Sequence, residues 1–272
     1  MSIGTDLERL RVSLKASDRM PVVFLGHGSP MNAIQDNSYS RNWAELGRTL
    51  PRPQAILVIS AHWMTKRATL VDVSALPRTI HDFGNFPREL FEQQYPAPGA
   101  PDLASEVVSL LASHDAESDE TWGLDHGAWS VLNWLYPRAD VPVFQVSIDI
   151  TRDLDWHLDM GRHLAALRDR GVLILGSGNI VHNLRTLIWD GTVHDWAEEF
   201  DERFAELLSN RDVGAIADRA HLGPLFELSH PTVDHYLPTL AVAGAGDERD
   251  ELTYMNVGVQ SGSISMRSFI LH

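Results

Sequence analysis

The chain has 272 residues, a net charge of −15 from 22 lysines and arginines against 37 aspartates and glutamates, and 13 histidines. Such an acidic surface repels phosphate backbones and anionic lipid, which argues against nucleic acid and membrane partners. Cysteine is absent, so disulfides, thiolate nucleophiles, zinc ribbons and iron–sulfur clusters are excluded, and any metal must be held by nitrogen and oxygen.

Met1 to Ser17 has neither the apolar centre nor the small-residue cleavage site of a signal peptide. It reads as a short amphipathic helix with Thr5 and Glu8 as a capping box. No apolar run is long enough for a membrane helix, and the cytoplasm is the expected compartment. Pro21 to Leu25 reads as a buried strand running into Gly26-His27-Gly28-Ser29-Pro30, followed by a helix over Arg41 to Leu50. Ala55 to Ser60 is a second strand, closing on Ala61-His62-Trp63, and Ala68 to Val73 a third. His81 to Pro101 is broken by Gly84, Pro87, Pro96, Pro98, Gly99 and Pro101 and reads as a long loop covering something.

Helices are expected over Asp102 to Ser113, Ala128 to Leu135 and Leu154 to Arg170, with strands at Val141 to Ile148 and Val172 to Leu175. Asp195 to Leu208 is an amphipathic acidic helix; Val213 to Arg219 and His235 to Ala243 also read as helices. Strands at Leu252 to Gln260 and Ser263 to Leu271 close the chain, antiparallel about Ser261-Gly262. The succession predicts one α/β domain over 1–272 with a central mixed, largely parallel sheet covered by helices on both faces.

Histidines recur where α/β folds build sites, at the carboxyl ends of strands. His27 sits between glycines that free the backbone for a tight turn; it reads as a ligand or as a loop residue before a helix capped by Ser29. His62 closes a buried run and needs a partner once desolvated, either a metal or a backbone carbonyl. His182, in Gly178-Asn179-Ile180-Val181-His182-Asn183-Leu184, falls in the first turn of an expected helix, where the neutral ring is favoured. Asp234 is placed to cap the helix that His235 begins, and His230 reads as a surface residue. His126, in Gly123-Leu124-Asp125-His126-Gly127-Ala128-Trp129, is suited to acid–base work. His157 and His163 fall on a charged helix, and His114, His194, His221 and His272 in polar or terminal surroundings, so all six read as solvated. His81 is left undecided. No P-loop, full dinucleotide fingerprint, H-E-x-x-H helix or nucleophile elbow occurs.

Taken in order, the segments around His27, His62, His126, His182 and Pro231-Thr232-Val233-Asp234-His235 resemble those of class III extradiol ring-cleavage dioxygenases. With Phe83-Gly84-Asn85-Phe86-Pro87 and Tyr95-Pro96-Ala97-Pro98-Gly99, they are similar to the 4,5-DOPA dioxygenase branch. The resemblance implies His27, His62 and His235 as metal ligands, with His235 standing where the wider superfamily has a glutamate. It implies His182 as a further ligand or an acid–base group, and His126 as the residue handling substrate protons. One divalent ion is implied, Fe(II) for turnover with Zn(II) as a bound form. The implied partners are a small aromatic diol and O₂, in a monomer or small homo-oligomer. A zinc hydrolase on the same scaffold and a metal-binding protein without turnover are the rival readings.

Overall fold

The computed structural model describes residues 19–272; the amino-terminal helix expected around Thr5 and Glu8 lies outside them. In chain order the strands are β1 (Val22–Gly26), β2 (Ala55–Thr65), β3 (Thr69–Asp72), β4 (Ala116–Asp119), β5 (Val143–Asp149), β6 (Val172–Gly178), β7 (Leu252–Met255), β8 (Val259–Gln260), β9 (Ile264–Ser265) and β10 (Ser268–Leu271). The helices are α1 (Ser38–Thr49), α2 (Arg88–Phe91), α3 (Pro101–Leu110), α4 (His126–Leu135), α5 (Leu154–Leu164), α6 (Asp195–Ser209), α7 (Arg219–Leu222), α8 (Pro224–Ser229) and α9 (Leu237–Ala245).

Eight strands form one sheet in the order β4-β3-β5-β2-β6-β1-β10-β7. The central four, β5-β2-β6-β1, are mutually parallel, whereas β3 joins β5, and β10 joins both β1 and β7, antiparallel. This is the mixed, mostly parallel sheet the sequence implies. Its central strands are largely apolar and buried because both faces are covered. Val22, Phe24, Leu57, Ile59 and Ile174 point into a core with α3, α5, α6 and α9, while Val23, Leu25, Ile56, Val58 and Leu175 point into another with α1 and α4. In α6 the buried Ala197, Phe200, Phe204 and Leu208 recur at helical spacing, and Asp195 and Glu198 sit favourably in its first turn. Among the described residues no helix is long and apolar enough to cross a membrane.

Several elements depart from the expected boundaries. β2 runs on to Thr65 through a register shift between Ile59 and Met64. The exposed edge strand β4, Ala-Glu-Ser-Asp, has no apolar alternation to announce it. The helix expected over Val213 to Arg219 is a single turn, Ala215–Ala217, and Asp218 caps a new start at α7 by accepting from the amide of Ala220. The last two expected strands divide into four: Asn256 and Gly258 take positive φ angles of 51° and 121° after β7, and β8 and β9 form a separate hairpin about Ser261-Gly262.

Candidate active site

Five separate segments bring His27, His62, His126, His182 and His235 to one place. His27 is the first residue beyond β1, its amide donating to the carbonyl of Gly178 at the end of β6 (3.1 Å). His62 lies in the irregular end of β2, inside the register shift between Ile59 and Met64. His126 opens α4, behind the N-cap Asp125. His182 pairs with Ile264 in an isolated bridge after β6, and His235 lies in the turn before α9. Ring centroids of His27, His62 and His235 are 5.0 to 5.3 Å apart. His126 stands 3.9 Å from His62, and His182 stacks on His235 at 3.4 Å.

Two glycines permit this approach. A Cβ on Gly127 would meet Ser60 Oγ at 2.4 Å and His62 Cδ2 at 2.9 Å. One on Gly178 would meet the carbonyl oxygen of His235 at 2.2 Å, so the turn carrying His235 presses directly on the end of β6.

Hydrogen bonds fix which ring nitrogen His27 and His235 present. Ser177 Oγ donates to the carbonyl of Gly127 (2.6 Å), so toward His27 Nδ1 at 3.0 Å it can only accept. His27 therefore carries its proton on Nδ1 and a bare lone pair on Nε2. His235 Nδ1 donates to Asp234 Oδ2 at 2.5 Å, and His62 Nδ1 faces Asp82 Oδ2 at 3.3 Å. Nε2 of His27, a bare lone pair, and Nε2 of His62 lie 3.2 Å apart, a contact that either a proton on His62 Nε2 or a cation between the two rings would satisfy. Nitrogen ligands about 2.1 Å from a tetrahedral ion sit roughly 3.4 Å apart, so the spacing fits a shared metal. Burial, reinforced by neighbouring imidazoles, pushes His27 and His235 well below the usual histidine range and His62 down to about 3. All three rings are thus neutral at pH 7, the form a metal requires. The donor set fits a divalent transition ion.

Asp82 carries no site signal in the sequence, because it lies inside a turn-rich stretch where nothing local marks a carboxylate as buried. Its carboxylate accepts from the amide of His126 and from His126 Nδ1, both at 2.9 Å. Burial opposes its ionisation, but the hydrogen bond and charge of His126, helped by His62, hold it down to about 2. The ring of His126 is thereby locked with Nε2 free. Asp125 is wholly buried, accepts from Ser60 Oγ (2.6 Å), Gln145 Nε2 (3.0 Å) and Trp122 Nε1 (3.3 Å), and is pushed up by burial. Ser60 and Ser177, partners across β2 and β6, tie the start of α4 to the sheet.

Other expectations need correction. Asp234 does not cap α9, whose N-cap is Tyr236; it binds His235 instead. His182 is not in a helix, and burial rather than a helix terminus lowers it to about 4. His230 is buried among Phe200, Phe226 and Tyr236. His157 and His114 are buried too, not solvated. In the stretch 81–101, Phe83 turns its edge to His126 (5.5 Å) and packs on Phe86, Phe91 and Trp129, with His81 beside it. Tyr95 belongs to the core, its hydroxyl donating to the carbonyl of Tyr136.

Residues 20–264 match the family described as the catalytic LigB subunit of aromatic ring-opening dioxygenase. The chain is 49% identical to 4,5-DOPA dioxygenase extradiol of Escherichia coli K12, over 94% of this chain and 96% of that one. It is 38% identical to the protein of the same name from Beta vulgaris, over 90% and 94%, and 30% identical to dioxygenase tasH of Hapsidospora irregularis, over 88% and 83%. A crystal structure of an uncharacterized protein from Escherichia coli K12 superimposes with a TM-score of 0.76 at 42% identity, covering 93% of this chain and all of the other.

Proposed function

We propose that the chain opens the ring of a DOPA-like catechol beside its diol with O₂, because it belongs to the family of catalytic LigB subunits of aromatic ring-opening dioxygenases. The observation that carries the reading is the trio of neutral imidazoles, His27, His62 and His235, with Nδ1 of His27 and of His235 committed to Ser177 and Asp234 and Nδ1 of His62 facing Asp82. A divalent ion held by these three, Fe(II) for turnover with Zn(II) as a competing occupant, would supply one positive centre that favours the deprotonated diol and gathers diol and O₂ together.

The chain's own residues move the protons. His126 Nε2 accepts a proton from a diol hydroxyl, and the carboxylate of Asp82 on Nδ1 stabilises the imidazolium so formed. His182, stacked on His235, serves the other end of the cluster and takes the proton of the second diol hydroxyl, returning it to the product as the ring opens. Phe83, edge-on to His126, walls the site with a surface suited to a flat ring. Atoms balance as one catechol plus one O₂ giving one open-chain semialdehyde acid, which in the DOPA case closes spontaneously, amine onto aldehyde with loss of one water, to a betalamic-acid-like ring.

The test is an anaerobically prepared, Fe(II)-reconstituted sample mixed with a panel of catechols in air-saturated buffer. Stoichiometric O₂ uptake with a yellow product is expected. Absence of uptake with every catechol, together with hydrolysis of an amide or ester by the Zn(II) form, would replace this reading by a hydrolase.

A further inference from the structure

We propose that His114, Asp159 and His163 form a second site for a divalent first-row transition ion, separate from the five-histidine cluster. Their donor atoms lie within 4.8 Å of one another. His114 ends the turn Ala112–His114 that leads into the edge strand β4; Asp159 and His163 sit four residues apart on one face of α5. The two groups come from segments distant in sequence, so an ion between them would staple the sheet edge to α5. None of the three residues belongs to the first cluster.

Each side chain presents a usable donor. His114 Nδ1 is engaged with Ser113 Oγ (3.1 Å), which leaves Nε2 facing Asp159 Oδ2 at 3.3 Å. His163 Nδ1 lies 3.0 Å from the carbonyl of Asp159 and 3.5 Å from its Oδ2, so this exposed ring presents a nitrogen to an ion by giving up that carbonyl or by turning, and the two imidazoles stand edge to face at 4.8 Å. His114 is buried and burial keeps its ring neutral at pH 7. Trp156 packs across it at 4.7 Å, itself covered by Arg152 at 4.2 Å, so one wall is fixed. Asp159 and His163 are partly exposed and free to close the remaining distance. Arg162 reaches Asp159 at 3.7 Å, but both are half exposed, and such a contact contributes too little to keep an ion out. Two imidazoles and one carboxylate suit Zn(II), Ni(II) or Cu(II) rather than Ca(II) or Mg(II).

The experiment titrates Zn(II) into the full chain already loaded at the first cluster, with calorimetry for affinity and metal analysis for stoichiometry. One further equivalent is expected. His163→Ala and Asp159→Asn, both at solvent-accessible positions, should each weaken that equivalent at least about tenfold while the ion of the first cluster stays bound. Wild-type protein that takes up no further equivalent, or two variants that bind it as tightly as wild type, overturns the proposal.

Discussion

The rings of His182 and His235 lie face to face, centroids 3.4 Å apart and planes within 4° of parallel. Ring-nitrogen lone pairs lie in the ring plane, so an ion in the plane of one ring lies out of the plane of the other. His235 has its Nδ1 anchored on Asp234 and its ring within reach of His27 and His62, so under the proposed function it is the ligand of the pair and His182 the proton carrier. His235→Ala should therefore lose bound metal. His182→Ala should keep it and lose about 100- to 10,000-fold in turnover. Metal content per chain, read beside single-turnover O₂ consumption, separates the two; near-wild-type ring cleavage by His182→Ala rejects its role.

Asp82 reaches from the loop over the site to hold both the amide and Nδ1 of His126. Asp82→Asn replaces one accepting oxygen by an amide donor, so the imidazole loses the partner that fixes its tautomer. A fall of about 10- to 100-fold in kcat is expected, and because Asp82 also faces Nδ1 of His62, metal affinity should weaken with it. Because the same contact pins the stretch 81–101, hydrogen exchange there should also quicken. Unaltered kcat would show that His126 is oriented by other means.

How far the site could be read from sequence depended on where each residue's partner lay. His27 and His62 were legible because they end apolar runs whose burial and direction the periodicity reveals. Asp82, Ser177 and Asp234 were not, since their significance lies in contacts with His126, His27 and His235, and only the first two of those contacts are long-range. Asp234 misled for a physical reason: an aspartate before an apolar helical run is the ordinary capping signal, whereas the short side chain here turns to the adjacent imidazole. His230 before Pro231 looked exposed because proline marks loops, yet the loop is folded under α6 and α8 onto Phe200 and Phe226. The parallel centre of the sheet is legible from its short apolar runs, such as Val22 to Leu25, Ile56 to Ile59 and Val172 to Leu175; β4, polar and at the edge, is not.

The metal-free chain should be acid-sensitive in a defined direction. His27, His62, His182, His230 and His235 all have folded pKa values depressed by burial, His62 and His230 to about 3 and His182 to about 4. The unfolded chain takes up these protons near pH 6.5 and the folded one does not, so stability is full above pH 6.5 and falls as pH drops below it. Each such proton contributes a slope of about 1.4 kcal/mol per pH unit. Urea midpoints of the apo protein measured from pH 7.5 to 5 should decline steeply, and the loaded protein should remain more stable than the apo form at neutral pH because the ion binds only the folded state. A flat apo profile over that range would mean the rings are solvated and the cluster open.

Gly127 offers a structural test that leaves every polar group of the site in place. A methyl there would press on Ser60 Oγ at 2.4 Å, His62 Cδ2 at 2.9 Å and Asp125 Oδ1 at 3.2 Å, and none of the three has room to retreat, since Ser60 and Asp125 are buried in one hydrogen-bond network and His62 is held between His126 and His27. Gly127→Ala should cost about 1–3 kcal/mol, as overpacking of a filled interior does, and by displacing His62 it should weaken metal binding as well. Gly84, in the covering loop, has nothing within 4 Å of where its Cβ would lie, so Gly84→Ala should leave both stability and metal affinity close to wild type, within about 0.5 kcal/mol. Urea unfolding and competitive metal titration on the pair decide the matter. Equal behaviour of the two variants would show that α4 can withdraw from β2, and that the approach of His126 to His62 is not built into the packing.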